Sequence, residues 1–441
     1  MNIGLFAMSG IRVCDSELLR LGLTLPGFVE RSKTIASLPS LGLLTLAGMT
    51  PTQHRLHYVE VPDSKLLDPL PSGLDFVAIS TYSAQVDEAY ELASRLRVMG
   101  VPSVIGGPHV TAMPEEAAEY CDAVVIGEGE VSWLQVLEDA GRGHLQQYYR
   151  SESNGFDLAD SPMPAFELLD ISKYNRLTVQ TSRGCSHHCE FCASSIMLTR
   201  QYKQKPIGKV LQEIDRILSI WNQPFIEFAD DNTFVNHAYW RELLPELKDK
   251  GIRWFAETDI SVADDDELLT QMREAGCAQV LIGLESPTEV GLVGLDLRTD
   301  WKFRQFHRYK DAIRKIQSHG ITVNGCFVVG LDGHTPDIFD QVFAFVRDTE
   351  LYEVQVTIPT PFPGTPFYAR LEKENRLIDP QNWKKCTLFD INFIPQNMSI
   401  QELSERFKKL VVELYSDEFT AWRRASFRKK LRQQQWKRAS S

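Results

Sequence analysis

The stretch Arg183-Gly-Cys-Ser-His-His-Cys-Glu-Phe-Cys192 decides how the rest of this chain is interpreted. Its three cysteines, Cys185, Cys189 and Cys192, are spaced four and then three residues apart. The loop directly follows an apolar run at Leu177–Thr181, which predicts a β-strand. Thiolates are the usual ligands of iron–sulfur clusters. Because a [4Fe–4S] cluster has four irons and this loop offers three thiolates, we expect one iron to stay open for a substrate.

A structural zinc site is the main alternative for the same residues. Such sites usually have four protein ligands, and His187 or His188 would supply the fourth. Three unrelated free thiols are the remaining interpretation. The other cysteines are scattered singly, which is typical of buried thiols in a reducing compartment. They are Cys14, Cys121, Cys277, Cys326 and Cys386. The local spacing favours a cluster.

Around the cysteine loop, apolar runs alternate with helical patterns over residues 176–358. The candidate strands are Leu177–Thr181, Phe225–Ala229, Ile252–Ala256, Gln279–Gly283, Thr322–Val329 and Val354–Ile358. Six β/α units predict a partial (β/α)6 barrel rather than a full barrel of eight strands. Functional side chains in such barrels collect at the carboxyl ends of the strands.

Residues 1–140 show a similar alternation, which predicts an α/β, doubly wound, Rossmann-like domain. Its candidate strands are Ile3–Ala7, Leu56–Val61, Phe76–Ser80, Ser103–Gly106 and Ala123–Gly127. Residues 141–175 are polar and contain Pro162 and Pro164, so we predict a linker there. Residues 359–441 are predicted as a proline-rich loop followed by a helical region.

The composition narrows the class of protein. Hydrophobic residues make up 43% of the 441 residues, which is typical of a globular chain. The net charge of −12 argues against a general nucleic-acid binder, because phosphate contacts need clustered Lys and Arg. Met1–Gly10 has no basic region of a signal peptide, and the apolar run Leu38–Met49 is too short to span a bilayer. We therefore expect a cytoplasmic protein.

Taken together, the cysteine loop and the barrel pattern resemble the radical S-adenosylmethionine (SAM) enzymes. These enzymes have a CxxxCxxC loop, often with an aromatic residue before the third cysteine, which is Phe191 here. The resemblance implies that the open iron binds SAM and that reductive cleavage of SAM yields a 5′-deoxyadenosyl radical. It also implies a flavodoxin- or ferredoxin-type electron donor as a partner.

The same resemblance implies SAM contacts at the ends of the barrel strands. An acidic residue there would pair with the ammonium group of SAM. The implied contacts are Phe191, Asp230, Asp231, Glu257, Gly283, Glu285, Ser286 and Gly330. A turn, a helix cap or a core position explains these residue types equally well.

Three loops at strand ends of the front domain are rich in small and polar residues. Small residues at the carboxyl ends of parallel strands let a large ligand approach the backbone closely. In front of this barrel, the loops resemble the cobalamin-binding domain of the cobalamin-dependent radical SAM enzymes. The tail from Pro361 to Ser416, with Trp383, Phe389, Phe393 and Pro395, resembles the C-terminal region of the hopanoid C-methylase-like members of that group. The implied cobalamin contacts in the loops are Thr81, Tyr82, Ser83, Gly106, Gly107, Pro108, His109, Gly127, Glu128 and Gly129. The cobalt-binding Asp-x-His-x-x-Gly motif is missing, so we expect no histidine ligand to cobalt. A nucleotide-type ligand or an empty domain is the alternative.

The resemblance implies a C-methyltransferase that acts on an unactivated carbon of a small-molecule or lipid substrate. A cobalamin-dependent cyclisation, ring rearrangement or oxidation is one alternative. A non-catalytic iron–sulfur or cobalamin sensor or carrier is another. The basic run from Arg423 to Arg438 suits peripheral contact with an anionic membrane surface, with a solvated helix as the alternative.

Overall fold

Two parallel six-stranded sheets follow each other along the chain. The computed structural model of the protein describes residues 1–21, 38–67, 69–151, 155–194 and 201–439, with side chains to residue 433. The front sheet contains β1 (Asn2–Met8), β2 (Arg55–Val61), β3 (Phe76–Ser80), β4 (Ser103–Gly106), β5 (Ala123–Ile126) and β6 (Tyr148–Arg150). The strand pair that follows the first barrel strand, β7 (Leu177–Val179), consists of β8 (Ser182–Arg183) and β9 (Lys203–Gln204). The other barrel strands are β10 (Phe225–Phe228), β11 (Arg253–Thr258), β12 (Cys277–Glu285), β13 (Thr322–Val328) and β14 (Glu353–Thr357).

The α-helices lie between these strands and after them. Those of the front domain are Ser16–Leu21, Leu41–Met49, Val86–Val98, Pro108–Ala112, Pro114–Ala117 and Gly129–Arg142. Those among the barrel strands are Ile207–Ile220, His237–Lys250, Asp266–Glu274, Trp301–Gln305, Tyr309–Ser318 and Ile338–Thr349. The C-terminal region contributes Pro366–Lys373, Ile400–Leu414 and Asp417–Ala439.

The front sheet has the strand order β2-β1-β3-β4-β5-β6, and every neighbouring pair is parallel. Helices Leu41–Met49 and Gly129–Arg142 pack on one face, whereas Val86–Val98 packs on the other. This arrangement confirms the predicted doubly wound fold. The crossing of the chain at β1 and β3 creates a crevice at the carboxyl ends of the strands, where such folds bind ligands.

Strand β6 lies inside residues 141–175, the stretch that the sequence predicts as a linker. It pairs with β5 through Val124 and Tyr148, and so belongs to the front sheet. Only three residues long, it cannot show the alternation on which strand prediction depends. The front sheet therefore continues beyond residue 140.

The barrel strands lie in the order β14-β13-β12-β11-β10-β7, all parallel. Their outward side chains, such as Val323 and Phe327, pack with the surrounding helices in one core. This sheet is the predicted partial barrel of six β/α units. Because all these strands are parallel, their carboxyl ends meet at one rim of the barrel. The ends of β7 and β10 at this rim face the front domain.

The first two residues of the C-terminal basic run contact the protein itself. Arg423 is fully buried and donates to the carbonyl of Tyr352 at 3.1 Å. Arg424 pairs with Glu353 at 2.7 Å. These contacts fasten the last helix to the barrel, whereas Arg428, Lys429 and Arg432 are exposed, so contact of the run with a membrane surface stays a prediction. Lys437 and Arg438 lie outside the described side chains. In the described part of the chain, every helix is too short or too polar to cross a bilayer.

Candidate active site between the two domains

The three cysteines of the loop after β7 influence one another electrostatically. Cys189 is buried, whereas Cys185 and Cys192 are half-buried. Burial raises the pKa of Cys185 to about 11, and the neighbouring Cys192 contributes in the same direction. Burial likewise raises the pKa of Cys189 to about 12, although the ammonium group of Lys302 opposes that increase. Cys185 and Cys189 therefore lose their protons readily only when a metal site stabilises their thiolates.

The donor set of this loop fits a cluster. No three His, Cys, Asp or Glu side chains within the described ranges converge as ligands of one metal ion. A [4Fe–4S] cluster does not need such convergence, because each thiolate binds a different iron. His187, a candidate fourth zinc ligand, pairs through Nε2 with Asp259 Oδ2 at 2.9 Å and packs against Trp301. The other candidate, His188, has a buried Nδ1 that finds no hydrogen-bond partner among the residues that the structure describes.

Asp231 ties together the two ends of the cysteine loop. Its Oδ2 accepts a hydrogen bond from the backbone N–H of Gly184 at 2.8 Å. Its Oδ1 accepts a bond from the hydroxyl of Ser194. These two residues flank the cysteine triplet, so a single carboxylate limits how far the loop can open.

Asp230 has a different role from its neighbour. It is buried and accepts hydrogen bonds from the backbone N–H groups of Thr181 at 2.7 Å and Ser182 at 2.8 Å. The hydroxyl of Thr181 donates a further bond at 2.5 Å. Burial raises the pKa of Asp230 to about 6 despite these bonds. This placement shows that Asp230 holds the exit of β7, and a contact of its carboxylate with SAM stays a prediction.

Glu285 and Lys302 form a buried ion pair beside the cysteine loop. Glu285 ends β12 with a φ of 61°, which is unusual for a residue other than glycine. Lys302 Nζ also donates to the carbonyl of Gly283 at 2.9 Å. A Cβ added to Gly283 would lie 2.9 Å from the same Nζ atom. The sequence prediction missed Lys302, because a lysine near the start of a helix looks like an ordinary solvated residue.

Three further predicted SAM contacts are used in packing. Ser286 is fully buried and hydrogen-bonds to His334 Nε2 at 2.9 Å. A Cβ on Gly330 would lie 3.1 Å from Leu403, so this turn abuts the C-terminal region rather than an open pocket. Phe191 is half-buried against the barrel core. The structure therefore gives Ser286 and Gly330 structural partners, and their contact with SAM stays a prediction.

Glu257 is the predicted SAM contact that keeps its carboxyl group free. It lies on β11 with its side chain half-buried, and it has no hydrogen-bond partner within the part of the chain that the structure describes. Burial raises its pKa to about 8, and the charges of Glu227 and Asp231 act in the same direction. A carboxyl group of this kind is mostly protonated at neutral pH, and it can donate a hydrogen bond to a ligand.

A cavity of about 460 Å³ separates the front sheet from the barrel rim. Its front-domain wall includes seven of the ten predicted cobalamin contacts. These are Tyr82, Gly106, Gly107, Pro108, Gly127, Glu128 and Gly129. Its barrel wall includes Thr178, Gln180, Arg183, Ser194, Glu227 and Asp231. The cavity thus joins the front-domain loops to both ends of the cysteine loop.

Two glycine turns form the front-domain side of this cavity. Gly107 has a φ of 121°, and a Cβ there would lie 2.3 Å from the carbonyl oxygen of Thr81. Gly127 has a φ of 85°, and its Cβ would lie 2.1 Å from the hydroxyl of Ser151. Both turns need glycine, and they leave bare backbone facing the space where a large flat ligand would lie.

Thr81, Ser83 and His109 do not line the cavity, although the sequence predicts them as cobalamin contacts. All three are buried. His109 Nδ1 hydrogen-bonds to the Ser83 hydroxyl at 3.0 Å, and Nε2 bonds to Glu116 at 3.2 Å. Both ring nitrogens are therefore engaged inside the front domain, which corrects the expectation for these residues. Trp133 and Ser40 do line the cavity, but no local pattern marks them.

Charged groups from both domains meet at the edge of the cavity. Arg183, two residues before Cys185, donates to Glu128 at 2.6 Å and to Glu130 at 2.8 Å. Lys203 also pairs with Glu128 at 2.9 Å. Burial alone would raise the pKa of Glu128, but the hydrogen bonds from Lys203 and Arg183 hold it below its usual value. Glu128 therefore connects the front domain to the barrel as well as lining the cavity.

Three segments of the chain match known families. Residues 36–137 match the B12 binding domain, and residues 179–346 match the radical SAM superfamily. Residues 365–441 match a domain of unknown function, DUF4070.

Several curated proteins are similar over most of the chain. An uncharacterized methyltransferase of Synechocystis is 28% identical over 388 residues, which cover 86% of this chain and 71% of the relative. The bacteriochlorophyllide d C-12(1)-methyltransferase of Chlorobaculum tepidum is 26% identical, covering 80% of this chain and 78% of the relative. The hopanoid C-2 methylase of Rhodopseudomonas palustris is 26% identical, covering 79% and 67%.

The fold is also similar to that of a solved structure. The radical S-adenosylmethionine methyltransferase TsrM from Kitasatospora setae, solved with cobalamin and a [4Fe–4S] cluster, superposes with a TM-score of 0.68. The match covers 99% of both chains at 15% sequence identity. At this identity the comparison supports the fold, namely a front domain, a barrel and a C-terminal region in the same order.

Proposed function

We propose that this chain, a radical SAM enzyme with a B12-binding domain in front of its barrel, is a methyltransferase that acts on an unactivated carbon. The observation that carries the proposal is the shared cavity, which reaches the front-domain glycine turns on one side and both ends of the cysteine loop on the other. A radical formed at the loop and a methyl group held by the front domain would meet there.

The chain uses a [4Fe–4S] cluster, SAM and cobalamin as its cofactors. We propose that Cys185, Cys189 and Cys192 hold the cluster, while Asp231 keeps their loop closed. The turns at Gly107 and Gly127 would support cobalamin. When bound, these cofactors supply the radical that removes a substrate hydrogen and the methyl group that takes its place.

Other residues of the cavity would position the substrate and exclude water. Tyr82 extends from the end of β3 into the cavity, and 51% of its surface remains open there. A tyrosine hydroxyl is neutral at physiological pH, so the Tyr82 hydroxyl can donate a hydrogen bond. Tyr82 would thus present a neutral hydrogen-bond donor to the cavity, while Arg183 and its partners close the edge. Glu257 lies on β11 and does not line the cavity, and its protonated carboxyl group would offer a hydrogen-bond donor to SAM.

The names of the relatives support methyl transfer but differ in substrate. They include methyltransferases of bacteriochlorophyllide d and a hopanoid methylase, and TsrM was solved with tryptophan as its substrate. We therefore propose that the substrate is a small molecule or a lipid. A flavodoxin- or ferredoxin-type donor of one electron is part of the proposal, since SAM cleavage by the cluster is reductive.

Anaerobic purification and reconstitution test this proposal. We expect about four irons per chain and one bound cobalamin, measured by metal analysis and absorption spectra, and we expect release of 5′-deoxyadenosine from SAM under reducing conditions. The triple variant C185A/C189A/C192A should lose the iron and all SAM cleavage. The control C14A changes an exposed thiol outside the loop and should keep both.

Two results would contradict the proposal. Retention of iron by the triple variant would show that the three thiols are not the ligands. Product mass distinguishes the outcomes once a substrate is found, because methylation adds one methyl group. Radical cleavage of SAM without that gain would support a cyclisation or an oxidation instead.

A further inference from the structure

The helix Pro366–Lys373 of the C-terminal region contacts the cysteine loop directly. Glu190 lies between the second and third cysteines of that loop. Its backbone carbonyl accepts a hydrogen bond from the N–H of Phe367 at 3.0 Å. Its carboxylate accepts two bonds from Arg370, one from Nε at 3.0 Å and one from Nη2 at 2.7 Å. This two-pronged geometry is the strongest and most directional form of an arginine–carboxylate pair.

Arg370 is itself held in place. Its Nη1 donates to Asp332 Oδ2 at 2.6 Å. The helix that carries it begins with Pro366 and is capped by Thr365, whose hydroxyl accepts from the N–H of Tyr368 at 3.2 Å. Burial alone would lower the pKa of Arg370, but its bonds with Glu190 and Asp332 raise it. Arg370 is therefore a fixed positive charge beside the loop.

The same C-terminal segment also contacts the front domain. Trp383 Nε1 donates to Glu116 Oε2 at 3.1 Å, and the indole ring lies 5.0 Å from the ring of His109. Asp390 accepts hydrogen bonds from the backbone N–H groups of Cys14 and Asp15, both at 2.9 Å. One segment of the domain of unknown function thus connects the cysteine loop with the front domain.

We infer that Arg370 is a positioning residue for the cluster, which fixes the Glu190 turn and cancels the Glu190 charge next to the three thiolates. The C-terminal domain thereby takes part in the reductive step through its contact with the cysteine loop. The inference rests on the proposed function, since it requires the cluster to occupy this loop.

The expected effect on the cluster follows from charge. An added electron makes a thiolate-bound cluster more negative, so a nearby unpaired anion disfavours its reduction. Removing the positive charge of Arg370 leaves the Glu190 carboxylate uncompensated. The reduction potential of the cluster should therefore fall in R370Q. It should return towards the wild-type value in R370Q/E190Q, because the anion is removed together with its partner.

The test is a redox titration of the reconstituted full-length protein, followed by electron paramagnetic resonance. R376Q is the matched control, because Arg376 pairs with Asp332 and Glu374 from the same segment but does not contact Glu190. R370K separates charge from geometry. The reduction potential of the cluster in R370K should stay close to the wild-type value, because the positive charge remains. Loss of the two-pronged hydrogen bond to Glu190 should appear as faster loss of iron in air.

Each result of this experiment decides the inference. A lowered potential in R370Q, recovery in the double variant and no change in R376Q would support it. An unchanged potential in R370Q with a full complement of iron would overturn it and leave the proposed function intact. A wild-type protein without a cluster would overturn both. If R370Q fails to retain iron, thermal unfolding of the cofactor-free wild type, R370Q, E190Q and R370Q/E190Q replaces the titration. Shifts in unfolding temperature that simply add in the double variant would contradict the contact between Arg370 and Glu190.

Discussion

At the scale of single residues, Asp230 and Asp231 show how adjacent carboxylates acquire different roles. Asp230 accepts bonds from Thr181 and Ser182 at the exit of β7, whereas Asp231 connects Gly184 with Ser194. Both residues follow the end of β10, where the chain bends, and each carboxylate has its own hydrogen-bond partners. The sequence predicts both as SAM contacts, and only their separate partners in the fold distinguish them.

Glu257 gives a pH-dependent prediction at the same scale. Its pKa is raised from 4.5 to about 8 in the folded chain. Between these values the unfolded chain has released a proton that the folded chain keeps, so stability falls as the pH rises through this window. E257Q has no such proton. The stability of E257Q should match that of the wild type near pH 4 and exceed it by about 1–3 kcal/mol near pH 8. This value is smaller than the full pKa shift would give, because solvent in the barrel screens the charge.

The measurement is urea unfolding of the cofactor-free proteins across this pH range. E289Q is the control, because Glu289 is exposed and should show a pH-independent difference from the wild type. Parallel stability curves for E257Q and the wild type would contradict the raised pKa.

At the scale of secondary-structure elements, most of the pattern was predictable. Observed bounds of the predicted strands differ from the predicted ones by two residues or fewer. The residue pattern over Trp301–Ser318 predicts one continuous helix, but in the structure a 3-10 turn at Phe306–Arg308 interrupts it. Hydrophobic periodicity reports which face of a segment is buried, but it does not detect a local change from one hydrogen-bonding pattern to a tighter one.

The turn after β4 provides a prediction at this scale. G107A combines a positive φ with a Cβ only 2.3 Å from the Thr81 carbonyl, so the turn must move. We expect a loss of about 2–3 kcal/mol in the free energy of unfolding, together with loss of bound cobalamin. G143A is the matched variant, because Gly143 also has a positive φ but its Cβ would meet no atom within 4 Å.

For G143A we expect a cost of about 1 kcal/mol and normal cobalamin binding. Chemical unfolding and the absorption spectrum of the reconstituted protein measure the two effects. Equal costs in both variants would mean that the close approach to Thr81 does not constrain the turn.

At the scale of the whole molecule, the two domains are joined by buried charges. Arg183 lies between Glu128 and Glu130, and the three side chains are each less than one-fifth exposed. Removing one partner of a buried charge network leaves the others unpaired, which typically costs about 3–5 kcal/mol. In R183Q the two domains should therefore separate more readily than in the wild type. A protease should then cleave the variant faster than the wild type between residues 141 and 175.

R216Q is the control for this prediction. Arg216 pairs with Glu167 on the surface, where both side chains are at least 40% exposed and the pair contributes about 1 kcal/mol or less. Limited proteolysis and small-angle scattering compare the two variants. Similar cleavage rates in R183Q and R216Q would show that the interdomain ion pairs do not hold the domains together.

The sequence by itself determined the three cysteines, the two α/β units and the glycine turns of the front domain, because each of these is a pattern of residues close together in the chain. Only the tertiary structure decided that Thr81, Ser83 and His109 turn away from the cavity. It also decided that Arg370 reaches Glu190 across 180 positions of sequence. Pairings over such distances depend on how whole elements pack, and no local periodicity records them.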